Sequence, residues 1–299
     1  MKKSTIIIAS ILCVVGLLVS ACGVMAIGFD FSKLNTAKYN ERIYDINEDF
    51  ENIVMETDVT DVHLLISDRT DTYVKSYEIA NGNLSVYVKN GTLYIRETER
   101  EWYQNIDFSF GNEERVEIYL NRDTYKTLNV DTDTGDVNIP GGFLFDEIDI
   151  ETDTGNVGVW ANAKNISISS DTGDISVAYI DATAIALETD TGKIKTWDVN
   201  VKDRFNIETD TGDVFLSHTE VEGKLSAITE TGDVNFSLSD AGSIYVRTST
   251  GDVTGTFLSQ KVFTTYTVTG KVRVPNSNSG GSCEIKTSTG DINIEIENY

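Results

Sequence analysis

Carboxylates recur at a nearly constant spacing through the second half of the sequence. One set contains Asp133, Asp153, Asp171, Asp190 and Asp210, which follow one another at steps of 20, 18, 19 and 20 residues. Carboxylate oxygens are ligands that Ca²⁺ prefers. Like charges stacked along a repeat repel one another unless a cation lies between them. This set therefore predicts a calcium ladder, and calcium is the one cofactor that the sequence suggests.

The same carboxylates also suit a structural role. Each stands two residues before a glycine, where an aspartate side chain can cap a backbone bend and keep the surface soluble. The segment from Asp131 to Asp136 lacks the glycine and glutamate positions of an EF-hand loop. Its spacing also differs from that of nonapeptide calcium repeats. The sequence leaves three interpretations open: specific calcium sites, weak diffuse binding and capping alone.

Aromatic residues form a second repeating set. Trp160 and Trp197 each lie five residues after a repeat glycine, and Tyr179 falls on the repeat between them. Rings that lie two rungs apart, at ~10 Å, could stack on sugar rings if they are exposed. The alternative is that both tryptophans cover the end of the core. Exposure of the stripe would favour a glycan-binding site.

Other kinds of chemistry find little support in the composition. The chain has 48 Asp and Glu residues against 24 Lys and Arg, for a net charge of −24, so nucleic acid is not an expected partner. Its two histidines, His63 and His218, have no catalytic partner at a recognisable spacing. The acids follow the repeat instead of gathering at one place, so no enzyme activity is predicted.

A Thr-Gly dipeptide organises the sequence that carries these residues. Its glycines are Gly135, Gly155, Gly173, Gly192, Gly212, Gly232, Gly251, Gly270 and Gly290. The residue three before each glycine is Thr or Ser, and the residue two after it is Val or Ile. Apolar and threonine positions alternate, which is the period of a β-strand.

Short strands repeated at this period cannot bury a face alone, but they can when stacked. The sequence therefore predicts an all-β fold: a parallel, β-helix-like solenoid with about 19–20 residues per rung. We expect each glycine to adopt a positive φ at a bend. We expect the inner threonines, three residues before each glycine, to form hydroxyl ladders.

The boundaries follow from where the repeat is regular. Residues 123–299 form the repeat array, and residues 42–122 are predicted to be an irregular N-terminal β cap. Within the cap, ENIVMETDVTDVHLLI fits the repeat as a degenerate first rung, and Asn90-Gly91 predicts a hairpin turn. Residues 30–41 are expected to be a juxtamembrane tether.

The N-terminus predicts a membrane anchor. Residues 5–29 are uncharged and follow a short tail, residues 1–4, that carries Lys2 and Lys3. A helix of ~25 residues would cross a membrane, with the tail in the cytoplasm and the C-terminal domain outside the cell. The alternative is a lipoprotein processed at Cys22, since Val19-Ser20-Ala21-Cys22 looks like a lipobox.

The repeats resemble those of the bacterial adhesin-like family of β-strand-repeat, membrane-anchored surface proteins. The motifs that carry the resemblance are TDTGDV at 132–137 and 209–214, TDTGNV at 152–157, TETGDV at 229–234 and TSTGDI at 287–292. The resemblance implies a β-solenoid-like ectodomain on a membrane anchor and supplies no catalytic residue. It also implies a link to cell-envelope stress systems, which some relatives have.

The expected function is therefore non-enzymatic: binding or scaffolding at the bacterial cell envelope, in a single-pass protein of the cell membrane. One alternative is an accessory of an envelope-stress signalling system that contacts another membrane protein. The other is an adhesive module that recognises a glycan.

Overall fold

The structure, a computed structural model, describes residues 25, 39–79, 84–97 and 114–297. Cys22 and the predicted anchor, apart from Met25, lie outside the described residues. Within the described part of the chain, no helix is long and apolar enough to span a membrane.

The described residues form β-strands almost throughout. The N-terminal strands are β1 (Tyr39–Ile46), β2 (Asn52–Val59), β3 (Asp61–Ile66), β4 (Thr72–Ile79), β5 (Leu84–Lys89), β6 (Thr92–Glu97) and β7 (Arg115–Leu120). The middle strands are β8 (Thr127–Thr134), β9 (Val137–Ile139), β10 (Leu144–Thr154), β11 (Val157–Val159), β12 (Asn162–Thr172), β13 (Ile175–Thr191), β14 (Ile194–Thr211) and β15 (Val214–Thr231). The C-terminal strands are β16 (Val234–Thr250), β17 (Val253–Phe257), β18 (Lys261–Thr269), β19 (Val272–Arg273), β20 (Gly281–Thr289) and β21 (Ile292–Ile296).

The strands stack in repeat register, which confirms the predicted parallel β-solenoid. Ile185 pairs with Phe205, which pairs in turn with Leu225, so the apolar residues seven before each glycine lie above one another. These residues and the Val or Ile two after each glycine alternate with exposed residues, and all of them except Phe263 and Val272 are buried in one continuous core. The alternation of residue types along each strand in the sequence therefore corresponds to the inward and outward faces of the rod.

Two ladders run along the rod, one on each side of the glycine. Ladder one holds the segments before the glycine, in the spatial order β5, β6, β2, β8, β10, β12, β13, β14, β15, β16, β20, β18. Ladder two holds the segments after it, in the order β1, β4, β7, β3, β9, β11, β13, β14, β15, β16, β17, β21, β19. The long strands β13 to β16 contribute to both ladders.

The spatial order of the rungs departs from the order in the sequence at both ends. The last repeat, β20 and β21, lies between β16–β17 and the preceding repeat, β18–β19. At the other end, β2 and β3 lie between β6–β7 and β8–β9. At the C-terminal end the chain forms the outer rung first and then fills the inner one, whereas at the N-terminal end it forms the inner rung β2–β3 before the outer rung β6–β7.

The N-terminal end is closed by antiparallel strands. On ladder one, β5 pairs with β6 through a turn in which Asn90 and Gly91 have φ values of 53° and 75°. On ladder two, β4 pairs with β7 and β1 pairs with β4, all antiparallel. At the C-terminal end, β18 and β19 are the outermost described strands.

The repeat glycine is required for a reason other than the predicted positive φ. Gly251, Gly270 and Gly290 have φ values of 156°, 159° and 153°, but the other six repeat glycines do not have a positive φ, so the expectation is wrong for those six. A Cβ built on Gly192 would lie 1.9 Å from the carbonyl oxygen of Gly173, one rung away. Because the backbones pass so close together at this corner, there is no room for a side chain.

The inner threonines are buried, but their hydroxyls do not form the predicted ladder with one another. The Thr209 hydroxyl donates to the carbonyl oxygen of Gly192 at 3.2 Å, and the Thr229 hydroxyl donates to that of Gly212 at 3.2 Å. Thr189, Thr248 and Thr287 repeat this bond. Each of these five threonines thus ties its rung to the glycine corner of a neighbouring rung, whereas the buried hydroxyls of Thr132 and Thr152 have no hydrogen-bond partner.

A second corner uses residues other than glycine. Tyr179, Asp198, His218 and Leu238 have φ values of 59°, 51°, 47° and 49° and occupy successive rungs. Left-handed backbone is costly for such residues and persists only where the surrounding structure holds it. This corner positions the aromatic residues of the predicted stripe.

Candidate binding surfaces

The aspartates of the predicted calcium ladder lie on the outward face of ladder one. All five, Asp133, Asp153, Asp171, Asp190 and Asp210, are exposed to solvent. Across the described residues, no group of three or more His, Cys, Asp or Glu side chains is placed to hold a metal ion. The calcium ladder remains a prediction.

A neighbouring acidic column does experience like-charge repulsion. Glu56, Asp131 and Glu151 occupy the same position on three adjacent rungs. Partial burial, followed by the charges of Glu56, Asp133 and Asp153, raises the pKa of Asp131. The folded state therefore disfavours the ionised form of Asp131.

The carboxylates that directly follow the glycines have a different role. Asp213 Oδ1 accepts the backbone N–H of Asp233 at 3.1 Å, and Asp233 Oδ1 accepts that of Asp252 at 2.8 Å. The same bond recurs between Asp61 and Asp136, Asp136 and Asn156, Asn156 and Asp174, Asp174 and Lys193, Asp252 and Asp291, and Asp291 and Lys271. Each of these side chains therefore caps the corner of the adjacent rung and not a bend in its own rung.

Lys193 interrupts this acidic column and relieves its charge. Its ammonium group lies 2.9 Å from Asp213 Oδ2, and the ammonium of Lys195 lies 2.9 Å from Asp174 Oδ2. The hydrogen bond from Lys193, with the N–H of Asp233, lowers the pKa of Asp213. Burial alone would raise the pKa of Asp174, but the N–H of Lys193 and the charge of Lys195 lower it overall.

The aromatic residues of the predicted stripe divide into exposed and covered members. Tyr179 is 64% exposed and Trp197 is 48% exposed. Trp160 is half-buried, and its ring lies over Gly158, where an added Cβ would meet it at 2.5 Å. The structure therefore places Tyr179 and Trp197 on the surface of the second corner, while Trp160 covers part of ladder two.

His218 adds a group to this corner that the sequence did not single out. Its ring centroid lies 5.3 Å from that of Trp197, and its Nδ1 lies 3.1 Å from the hydroxyl oxygen of the adjacent Ser217. The contact with Trp197 joins residues on adjacent rungs, so spacing within one repeat could not predict it. We call Tyr179, Trp197, Ser217 and His218 the aromatic corner.

A groove runs along the third side of the coils, between the second corner and ladder one. It has a volume of about 650 Å³. Its walls include the stacked residues Asp181, Asn200, Glu220 and Asp240. At its end, the buried ammonium of Lys261 pairs with Asp240 and donates to the Ser259 hydroxyl at 2.7 Å. The groove is thus acidic, and its one buried cation is already neutralised.

Comparison with known proteins places this architecture in a family. The profile of the Toastrack DUF4097 family matches residues 50–297, which include every strand of both ladders except β1. The chain belongs to the Toastrack DUF4097 family. No protein with a curated description matches it.

Solved structures share the fold at low sequence identity. One, from Parabacteroides distasonis and named a "putative adhesin", is 13% identical with a TM-score of 0.52, over 88% of this chain and 98% of the other. Another from the same organism, named a "putative lipid binding protein", is 15% identical with a TM-score of 0.50, over 88% and 98%. Neither name denotes an enzyme, and the family match indicates no enzymatic activity.

Proposed function

We propose that this member of the Toastrack family is a non-enzymatic binding protein of the bacterial cell envelope, held at the outer surface of the cell membrane by residues 5–29. The rod would act as a rigid scaffold, because each rung is hydrogen-bonded to its neighbours through backbone, threonine and aspartate groups. A rigid surface loses little conformational entropy on binding.

The exposed aromatic corner is the observation that carries this proposal. Tyr179 and Trp197 offer ring faces to solvent on adjacent rungs, and the Ser217 hydroxyl and the His218 ring lie beside them. Aromatic faces stack on the apolar faces of sugar rings, while hydroxyl and imidazole groups bind sugar hydroxyls. A glycan is therefore the ligand we favour over a protein of the same membrane.

Binding at this corner is testable with the protein itself. Trp197→Ala and Tyr179→Ala should each weaken the binding of isolated cell-wall polysaccharide at least tenfold in a sedimentation assay. Tyr87→Ala, which removes a partly exposed tyrosine from β5 near the N-terminal end, is the matched control and should bind normally. Equal binding by all three variants would contradict the proposal.

Photo-crosslinking in intact cells separates the glycan from the signalling alternative. A photoreactive amino acid at position 197 should capture wall polymer. Specific capture of a protein from the same membrane would instead favour the accessory of an envelope-stress system, and the glycan proposal would fail.

The anchor is a separate part of the proposal with its own test. The uncharged run after Lys2 and Lys3 supports a single-pass segment with the N-terminus in the cytoplasm. Cys22→Ser should leave the protein in the membrane fraction after alkaline extraction. Release of the variant into the soluble fraction, or fatty-acid labelling of the wild type that Cys22→Ser abolishes, would establish the lipoprotein alternative.

A further inference from the structure

The C-terminal end of ladder one carries an edge that no described strand covers. β18 pairs with β20 on one side and with no other described strand on its outer side. An unpaired edge presents a row of backbone N–H and C=O groups that can pair with another strand.

The composition of β18 favours such pairing. The segment VFTTYTVT, from Val262 to Thr269, contains only β-branched and aromatic residues and no charge. Val262, Tyr266 and Val268 are exposed on its outward face. Edge strands of soluble proteins usually carry charges that block pairing, whereas the only charge of β18 is that of Lys261, which is buried at the start of the strand and paired with Asp240.

The acidic columns of the rod also stop before they reach this edge. The column that contains Glu208 continues through Ile228, Arg247 and Lys286 to Tyr266. Two acidic rods repel each other along most of their length. In this column, neutral and basic residues replace the acids that would repel a second copy, and Glu284 on the rung next to β18 is paired with Lys286.

Internal segments outside the described residues cannot cover the edge. Residues 80–83 and 98–113 connect strands at the opposite end of the rod. Ten rung spacings of ~4.8 Å, or ~48 Å, separate β6 from β18. Sixteen residues span at most ~55 Å when fully extended, so a loop of that length cannot reach β18 and return.

We propose that β18 pairs antiparallel with β18 of a second copy of this chain, which joins two rods end to end. A strand paired antiparallel with itself forms a two-fold interface that closes at two copies. Pairing centred on Thr265 would set Val262 opposite Val268 of the second copy and Thr264 opposite its Tyr266.

The dimer would also complete the core at its open end. Phe263 is only partly buried against the core, and Val272, which occupies the inward position paired with the buried Ile292, is exposed. At the other end, Leu84, Val86 and Val88 of β5 pack over the core. A second rod at β18 would cover Phe263 and Val272 in the same way.

The oligomeric state of the full chain, purified in a non-ionic detergent, tests the proposal. The wild type should have the protein mass of two copies in sedimentation and light scattering. Val268→Lys should halve that mass, because it introduces a charge in each copy at the pairing edge. Val59→Lys changes a valine of similar exposure, 59% against 67%, at the opposite end and should remain dimeric.

A monomeric wild type, or a Val268→Lys variant that remains dimeric, would overturn the proposal. Disulfide mapping of the double variant Val262→Cys/Val268→Cys gives a second test. We expect a disulfide that links position 262 of one copy to position 268 of the other. Linkage of either position to residues 1–38, or to a different protein, would assign the edge to that segment or protein instead.

Discussion

The carboxylate of Asp252 accepts the backbone N–H of Asp291 at 2.7 Å, although 39 residues separate them in the sequence. Elsewhere in the repeat array the equivalent bond joins residues 18 to 20 apart, as between Asn156 and Asp174 or between Asp213 and Asp233. Asp291 in turn accepts the N–H of Lys271 at 2.7 Å. The last repeat is therefore held on both sides, and it connects the preceding repeat to the body of the rod.

This arrangement predicts an unusual response to truncation. A chain that ends at residue 280 lacks β20 and β21, so β18 would face β16 across two rung spacings, about 9.6 Å, which hydrogen bonds cannot span. We expect residues 261–273 to lose protection from hydrogen exchange. A chain that ends at residue 257 has no such gap and should retain a cooperative melting transition. Protected amides at 261–269 in the 280-residue chain would contradict the assigned order.

The regular part of this fold could be predicted from the sequence because each column repeats one residue type. Leu225 and Phe205 both lie seven residues before a repeat glycine, and they pair with each other in the structure. Alignment of the repeats on their glycines therefore predicts the register of the strands. The order of the last two repeats could not be predicted in this way, because both of them match the repeat pattern. The segment Val274–Gly280, which contains Pro275 and connects β19 to β20, was the one sequence signal that the regular repeat is interrupted here.

The second corner could not be predicted, for the opposite reason. Tyr179, Asp198, His218 and Leu238 share a left-handed backbone but no side-chain chemistry. Their common property exists only once the rungs are stacked. The surroundings of Trp197 also depend on a neighbouring rung, where its ring meets that of His218. Trp160 instead lies over Gly158, two residues earlier in its own repeat.

The inner threonines predict a matched pair of stability effects. Thr209→Val removes a buried hydroxyl that donates to Gly192, so it should lower the free energy of unfolding by about 1 kcal/mol. Thr152→Val removes a buried hydroxyl that has no hydrogen-bond partner. It should be neutral or stabilising, because the unpaired group no longer needs to be desolvated. Denaturant unfolding measures both, and equal losses would contradict the distinction.

The glycine corner predicts a larger effect. A methyl group at position 192 would collide with the backbone of Gly173, so Gly192→Ala should cost about 3 kcal/mol or more in unfolding free energy. Gly158→Ala is the control, because its methyl group would meet the Trp160 side chain, which can move. The control should lose about 1 kcal/mol or less. Similar melting temperatures for both variants would show that the rungs can separate at the glycine.

The lowered pKa of Asp213 predicts a stabilising carboxylate. Its ionised form is favoured in the folded state by the Lys193 ammonium and the Asp233 N–H. This stability is present above the unfolded pKa of about 3.9 and is lost as the pH falls through the lower folded pKa. Asp213→Asn should therefore lower the melting temperature at pH 7, and the difference should shrink at the most acidic pH that the fold tolerates. A constant difference across this range would exclude the linkage.

Asp131 predicts the opposite sign from the same substitution. Partial burial and the charges of Glu56, Asp133 and Asp153 raise its pKa, so the folded state disfavours the ionised form. The resulting penalty is present above the folded pKa and absent below the unfolded value of about 3.9. Asp131→Asn should raise the melting temperature at pH 7, and the gain should fall in high salt because screening weakens the repulsion. A lower melting temperature at pH 7 would mean that Asp131 makes a favourable contact, such as a bound cation, that outweighs the repulsion. Repeating the measurement with added Ca²⁺ and with a chelator would then connect Asp131 to the calcium ladder predicted for the neighbouring column.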